Sequence, residues 1–411
     1  MKRSLSFFAL LLFFTSVARG FQSSIQQPLS QYRQFLVASK NIFPPGLYSS
    51  ASSSEINTAS MGTTIKYLLN EGDGIRNIVD DYDVFLLDMW GVMHDGIRPY
   101  EGVLEVVKKL KEAGKKLIIL SNSSKRRTNS VKMLQKLGFS DDDFDEIITS
   151  GEVAHHLLMY LSAGGGEEKS WVPKKIPQAF QNLRHKKSKL SAFCFGSGDG
   201  DIEYLNSCGW DLADTVENAD LIVARGTFVI HSATDLVDKK KDGEAAYWSA
   251  YGAALKTAVA ASIPMVVCNP DKVRPDADKS PMPGTIGMAY QEQLTKKHES
   301  NEKNDLILSL GKPFPSVYDI ALGDETASID KSRVVMVGDA LETDVTGATV
   351  LGIDSIWVIN DGIHNQDIIE SSRSSQKEGC EAVLREFNDS SSTYAQGRKV
   401  SPTVVLPHFR W

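Results

Sequence analysis

The chain has 411 residues, of which 42% are hydrophobic and 24% charged, and its formal net charge is −7. These are ordinary values for a soluble globular protein, at a length that suits two or three domains and a sizeable core. The acidic balance and the lack of a dominant Lys/Arg run argue against bulk nucleic-acid binding; four cysteines, at 194, 208, 268 and 380 with no CxxC pair, exclude a disulfide scaffold and disfavour structural zinc.

Residues 1–60 read as targeting sequence. Lys2 and Arg3 precede an apolar run over residues 6–17, well short of the ~20 residues that span a bilayer. With Ala18-Arg19-Gly20 behind it, the run reads as a signal peptide over 1–20. Residues 21–60 hold ten Ser and a single acid, Glu55, the bias of a transit peptide. The tandem resembles the bipartite plastid presequences of algae with secondary plastids. A plastid is therefore the expected destination, with secretion or another organelle as the alternative. The few cysteines suit a reducing compartment. Losing the five basic residues and one acid of this segment takes the net charge from −7 to −11, which disfavours membrane and nucleic-acid surfaces as partners of the mature chain.

Strands and helices then alternate. Val84–Leu87 is a short apolar run ending at Asp88, the pattern of a buried strand. Residues 101–113 place Val103, Val106, Val107 and Leu110 at helical spacing, and Gly114 supplies a stop. A strand over 117–120, a helix over 128–137, a short strand at 147–148 and a helix through His155 to Leu161 follow. Gly164-Gly165-Gly166 marks a boundary. Residues 164–306 carry their own strands at 192–195, 221–224 and 265–268 and a helix over 244–262, and a polar run, 291–305, closes the segment. Alternation resumes with a helix at 315–322, a strand at 334–337, a helix at 343–351 and a strand at 355–358. The order predicts an α/β protein: a Rossmann-like parallel sheet built from 61–163 and 307–411, with an inserted α/β domain over 164–306.

In open α/β sheets ligands gather at the carboxyl ends of the strands. The polar residues there are Asp88, Ser121-Asn122, and Gly338-Asp339 with Asp344; Lys312 sits in Gly311-Lys312-Pro313 ahead of a helix. Taken singly each has a plainer reading: helix caps for the Asp and Ser residues, a turn with a solvated Lys for Gly-Lys-Pro. Together they suit phosphoryl transfer. A carboxylate can attack phosphorus and form an aspartyl-phosphate. Asp88 and Asp339 on neighbouring strand ends would repel unless a hard cation such as Mg²⁺ bridged them. The metal and Lys312 would neutralise the equatorial phosphoryl oxygens, and the Ser121 hydroxyl could hold one of them.

The segments Leu86–Val92, Ile118–Asn122, Gly311-Lys312-Pro313 and Val337–Asp344 resemble, in this order, the four motifs of the haloacid dehalogenase-like hydrolase superfamily. His94-Asp95-Gly96, Thr149-Ser150-Gly151, Asn269-Pro270-Asp271 and Pro283-Gly284 resemble its subfamily IIA, phosphatases with a large α/β cap between the second and third motifs. The resemblance spans about residues 70–365 and, more weakly, the tail 402–411. It implies a nucleophile and metal ligand at Asp88, phosphate binding by Ser121 with Asn122 beside it, and charge neutralisation by Lys312. It further implies metal carboxylates at Asp339 and Asp344 and a metal-binding main-chain carbonyl at Trp90. The implied cofactor is Mg²⁺ and the implied partner a small phosphorylated metabolite, chosen by the cap; Arg225 and Asn269–Asp271 are expected substrate contacts. A homodimer fits the cap-mediated dimers of such relatives.

One position departs from the pattern. Trp90 stands where the family carries a second Asp that protonates the leaving oxygen and then activates water. An indole N–H cannot shuttle a proton, and losing such help costs ~10²–10⁴-fold in rate. A subgroup with Asp-x-Trp-Gly-Val resembles this chain more closely. The expected activity is hydrolysis of a small phosphate monoester, with His94 or Asp95 as a substitute acid. The alternatives are a phosphate-binding regulator without turnover, or another reaction at Asp88 such as dehalogenation or phosphonate cleavage. His155-His156, the Tyr247-Trp248-Tyr251 group, Lys239–Lys241 and the loop Gly196–Gly200 read as structural.

Overall fold

The computed structural model describes residues 64–162, 171–186, 189–198, 200–274, 280–298, 305–323, 329–390, 395 and 397–411. The signal and transit segments expected over 1–60 and the Gly164–Gly166 boundary lie outside the described residues.

The first sheet joins β1 (Lys66–Tyr67), β2 (Val84–Leu87), β3 (Lys116–Ser121), β4 (Glu146–Thr149), β12 (Val334–Gly338), β13 (Asp354–Val358) and β14 (Val404–Leu406) in the order β1-β14-β13-β12-β2-β3-β4. Every pairing is parallel, so all its strands end at one rim. Both faces are covered, which is why β2 and β12 are buried at every position. Alternation sorts the side chains: Phe85 and Leu87 pack with α1 (Val103–Glu112), while Leu86, Ile118 and Leu120 point to the opposite face. In α1 the buried residues are the four that the spacing predicts, Val103, Val106, Val107 and Leu110.

The second sheet holds β5 (Ser191–Gly196), β6 (Asp211–Leu212), β7 (Leu221–Ala224), β8 (Val229–His231), β9 (Leu236–Asp238), β10 (Met265–Val267) and β11 (Ile307–Ser309). Its path is β11-β10-β7-β5-β8-β9, with β6 on β5. The middle strands are parallel, and β8 and β9 turn antiparallel. Since β11 pairs with β10, the cap sheet runs to Ser309, past the boundary expected at 306. The polar run expected to be a closing segment begins inside a helix, Pro283–His298, which turns Ile286, Tyr290 and Leu294 to the cap core.

A shared layer of helices lies between the sheets. One apolar cluster contains Leu86, Ile118 and Met336 of the first sheet, Cys194, Val223 and Val266 of the second, and side chains of Ser150–Leu161 and Pro315–Leu322. Burial of this kind contributes ~25 cal/mol per Å², so the cap is seated on the core by the same force that folds either sheet. Among the described residues no helix is long and apolar enough to cross a membrane.

Candidate active site

The parallel sheet places Asp88 one residue beyond β2 and Asp339 one beyond β12, on adjacent strands. Asp344 returns to the same point on a π-helical turn, Leu341–Val345, that continues into the helix Thr346–Leu351, so the helix expected over 343–351 is present and starts two residues earlier. One oxygen from each of Asp88, Asp339 and Asp344 lies within 4.8 Å of the others. Lys312 Nζ stands 2.7 Å from Asp88 Oδ1 and 2.7 Å from Asp344 Oδ1. The four charged residues expected to converge therefore do.

Three carboxylates face one ammonium, and the electrostatics follow. Burial raises the Asp88 carboxyl, with Lys312 pulling it back. Burial and then the charges of Asp344 and Asp88 push Asp339 far above the carboxylate range. Asp344 is pushed up to about 6 by burial, against Lys312. Burial opposes the charge on Lys312, but Asp344 and Asp88 outweigh it and hold the ammonium above its ordinary range. The cluster lacks positive charge, which is the condition a hard divalent cation relieves.

The backbone around it has been cleared for such an ion. A Cβ on Gly91 would overlap the Asp339 carboxylate, and one on Gly338 would overlap Asp344. Gly91 takes φ 83°, where glycine carries no steric penalty. The Trp90–Gly91 main chain thus passes against Asp339. Asp339 Oδ2 accepts Ile363 N–H (2.8 Å) and Asp344 Oδ2 accepts Ala340 N–H (3.1 Å). These residues fit Mg²⁺: oxygen donors, two carboxylates held by backbone amides, and glycines where the main chain passes against them.

Ser121, at the end of β3, accepts Ser123 N–H (3.2 Å) and keeps its own proton for a phosphate oxygen. The Asn122 side chain, expected beside the phosphate, is bonded within the protein. Its Nδ2 donates to Asp271 Oδ1 (2.7 Å) and to the Lys312 carbonyl (3.0 Å). Its Oδ1 accepts Lys312 N–H (2.7 Å) and the Ser150 hydroxyl (3.4 Å). With both amide protons and its oxygen committed, this side chain positions Lys312.

The remaining motifs form one junction around Asn122. Gly151 N–H donates to the Ser123 carbonyl (2.9 Å), and a Cβ there would overlap Ser124. A Cβ on Gly311 would overlap Ser150 Oγ and meet Pro270 Cδ at 2.8 Å. Gly284 N–H donates to the Asp271 carbonyl (3.0 Å). The cap loop at 269–271 therefore lies on the Gly311-Lys312 turn. Ser150 was not singled out from sequence; its place in Thr149-Ser150-Gly151 was the available signal.

Other expectations resolve as follows. Trp90 is half-buried, its ring edge 2.9 Å from where a Gly96 Cβ would stand. His94 is buried, accepts Gly96 N–H (2.9 Å), and is held down to about 4 by burial. Asp95 is exposed and accepts the N–H groups of Ile97 (2.8 Å) and Arg98 (2.7 Å), a turn role. Arg225, expected at the substrate, is buried, ion-paired with Asp201 and 4.1 Å from the Tyr204 ring centroid. His155 bonds Ser207 and Tyr247 is core. In the loop 196–200, Gly198 N–H is taken by Asp201 itself (2.8 Å), so that loop is not a phosphate cradle.

The fold and site suit a class of hydrolases to which the chain is also similar in sequence. Residues 85–170 match the family model for haloacid dehalogenase-like hydrolases, and residues 309–387 the HAD-hydrolase-like family. Human chronophin is 26% identical over 289 residues, covering 70% of this chain and 84% of that protein. The 4-nitrophenylphosphatase of Schizosaccharomyces pombe is 41% identical over 49 residues, 12% of this chain and 16% of that one. A possible sugar phosphatase from Cytophaga hutchinsonii shares the fold with a TM-score of 0.53 at 16% identity, over 84% of this chain and 97% of that one. A hydrolase of the same family from Brucella suis gives 0.50 at 21% identity, over 72% and 91%. Haloacid dehalogenase-like hydrolase models thus match the chain on either side of the second sheet, and the chain resembles the capped phosphatases of subfamily IIA.

Proposed function

We propose that the chain is a Mg²⁺-dependent hydrolase of small phosphate monoesters that works through an aspartyl-phosphate on Asp88. The observation that carries this reading is the charge deficit at the strand rim, with Asp88, Asp339 and Asp344 gathered about a single Lys312. Mg²⁺, held by Asp88, Asp339, Asp344 and the Trp90 carbonyl, would supply positive charge to the phosphoryl oxygens. Lys312 keeps Asp88 ionised as a nucleophile and faces the same oxygens. The Ser121 hydroxyl donates to another. The Asn122 amide fixes the Lys312 backbone, so these groups are aligned before substrate arrives. The cap loop packed on Gly311 closes one side of the site, which favours a small phosphorylated metabolite. The N-terminal sequence supports a plastid as the working compartment.

The test is a screen of phosphate esters with the full chain, with and without Mg²⁺. Turnover is expected with Mg²⁺ and lost by roughly 10⁴-fold or more in Asp88→Asn. Hydrolysis that survives in Asp88→Asn, or none with any ester, rejects the reading.

A further inference from the structure

The Trp90 substitution leaves the departing oxygen without the family's acid, yet the cap brings another carboxyl to the same site. Asp271 follows β10 on the loop Asn269-Pro270-Asp271 and is half-buried against Asn122. Three bonds fix it. Its N–H donates to Asn269 Oδ1 (2.8 Å), its carbonyl accepts Gly284 N–H (3.0 Å), and its Oδ1 accepts Asn122 Nδ2–H (2.7 Å). Its Oδ2 has no donor among the described residues. Asp88 feels its charge, so the two carboxyls share one electrostatic site.

His94 and Asp95 do not compete for the role. The first is buried, with its pKa held down to about 4 and its Nδ1 accepting Gly96 N–H inside the loop, and the second is exposed, its carboxylate lowered by two backbone amides on Oδ1. Asp271 alone of these reaches the site from the cap while the nucleophile reaches it from the core. Through Asn122, Asp271 is joined directly to the turn that carries Lys312, and Asn122 adjoins Ser121 in the chain.

We propose that Asp271 is the proton donor to the leaving oxygen, in place of the acid missing at position 90. The assignment rests on the phosphatase reading above. Asp88 forms its bond to phosphorus as the bond to the leaving oxygen breaks. The bonding pair stays on that oxygen, and the Asp271 proton joins it, so an alcohol departs and Asp271 is left as carboxylate. Water then attacks the phosphorus of the aspartyl-phosphate and its proton passes to Asp271. Inorganic phosphate leaves, and Asp88 is free again. The carboxyl suits both halves, since burial pushes it up to about 6 against the pull of Asn122 and Lys312, with Asp344 and Glu342 also facing it.

The test compares two leaving groups in the full chain with Mg²⁺: 2,4-dinitrophenyl phosphate, whose phenolate departs without a proton, and an alkyl phosphate such as glycerol 3-phosphate. Asp271→Asn keeps an oxygen for Asn122. It is expected to lower kcat/KM for the alkyl ester by roughly 10²–10⁴-fold and for the dinitrophenyl ester by less than about threefold. Equal losses on both, or no loss on either, overturn the assignment, because a residue that only positions Asn122 does not distinguish leaving groups. Should Asp271→Asn not fold, wild type answers alone. A shallow dependence of log kcat/KM on leaving-group basicity supports a proton donor, and a steep one, or hydrolysis of aryl but not alkyl esters, overturns it. If wild type hydrolyses neither ester, or Asp88→Asn is as active as wild type, the phosphatase reading itself has failed.

Discussion

Two buried clusters pair aspartate with a cation, one in each half of the molecule, and they are built to opposite ends. In the cap, Asp201 is ion-paired with Arg225, lies 3.2 Å from His231 Nε2 and accepts Gly198 N–H. Burial opposes its charge, but His231, Arg225 and the backbone amides prevail and hold its carboxyl below the usual range. In the core, Asp88, Asp339 and Asp344 divide one Lys312, and burial with mutual repulsion holds them above it. A balanced cluster is a brace; a cluster short of positive charge is a place for a cation. The brace also reaches across the interface: Arg225 Nη2 donates to the Ser124 carbonyl (3.4 Å) and Tyr204 to the Gly151 carbonyl (2.7 Å), in the loops that hold Ser121 and Ser150.

The contrast is broken most strongly at Arg225. Arg225→Met leaves Asp201 buried without its partner, and breaking such a pair costs about 3–5 kcal/mol. Urea unfolding is expected to show that loss, while kcat/KM per folded molecule changes little. The core answers differently. Asp339→Asn removes a carboxylate that folding disfavours, and an amide oxygen can still accept Ile363 N–H. Mg²⁺-dependent turnover should fall by roughly 10²–10³-fold, whereas the metal-free protein should gain stability. A metal-free Asp339→Asn less stable than wild type would mean that the core cluster is a brace as well.

A smaller effect sharpens the contrast through pH. An unfolded Asp ionises near 3.8; Asp344 and Asp271 in the folded chain ionise at about 6. Between those values the folded chain binds more protons at these sites. Their contribution to stability is therefore full below the unfolded value and lost as pH rises through about 6. His94 and His155, lowered to about 4 by burial, act in the opposite sense over the same window. Total stability is thus a poor readout and the Mg²⁺-induced shift in Tm a good one. Metal binding must displace the proton on its ligand Asp344, so the stabilisation by Mg²⁺ should grow by about 1–2 kcal/mol from pH 5 to pH 7.5. In Asp339→Asn it should be nearly flat.

The core site was legible from sequence because a parallel sheet leaves little freedom. Once β2, β3 and β12 are neighbours, Asp88, Ser121 and Asp339 must share a rim. Asn122 was not legible, since its amide is committed by Asp271, 149 positions away on a different sheet. β1 and β14 were missed because two- and three-residue strands carry no usable period. The helix Pro283–His298 was missed because Pro283, Gly284 and Gly287 read as a turn and residues 291–298 are mostly polar, although Ile286, Tyr290 and Leu294 fall at helical spacing.

The smallest effect belongs to Asp95, the carboxyl that sequence alone offers as a substitute acid. It stands five residues after Trp90 in the same loop, whereas Asp271 is far off in the chain. The structure inverts that order of nearness. The Asp95 carboxylate is lowered by the backbone N–H groups of Arg98 and Ile97, so it is ionised where a donor must hold a proton. Asp95→Ala removes the side-chain acceptor of an exposed turn, a loss of about 0.5–1 kcal/mol. Its kcat/KM for an alkyl phosphate should stay within about threefold of wild type, against the far larger drop expected for Asp271→Asn. A drop of comparable size in Asp95→Ala, with the dinitrophenyl ester unaffected, would move the proton donor back to the core and leave the cap with substrate selection alone.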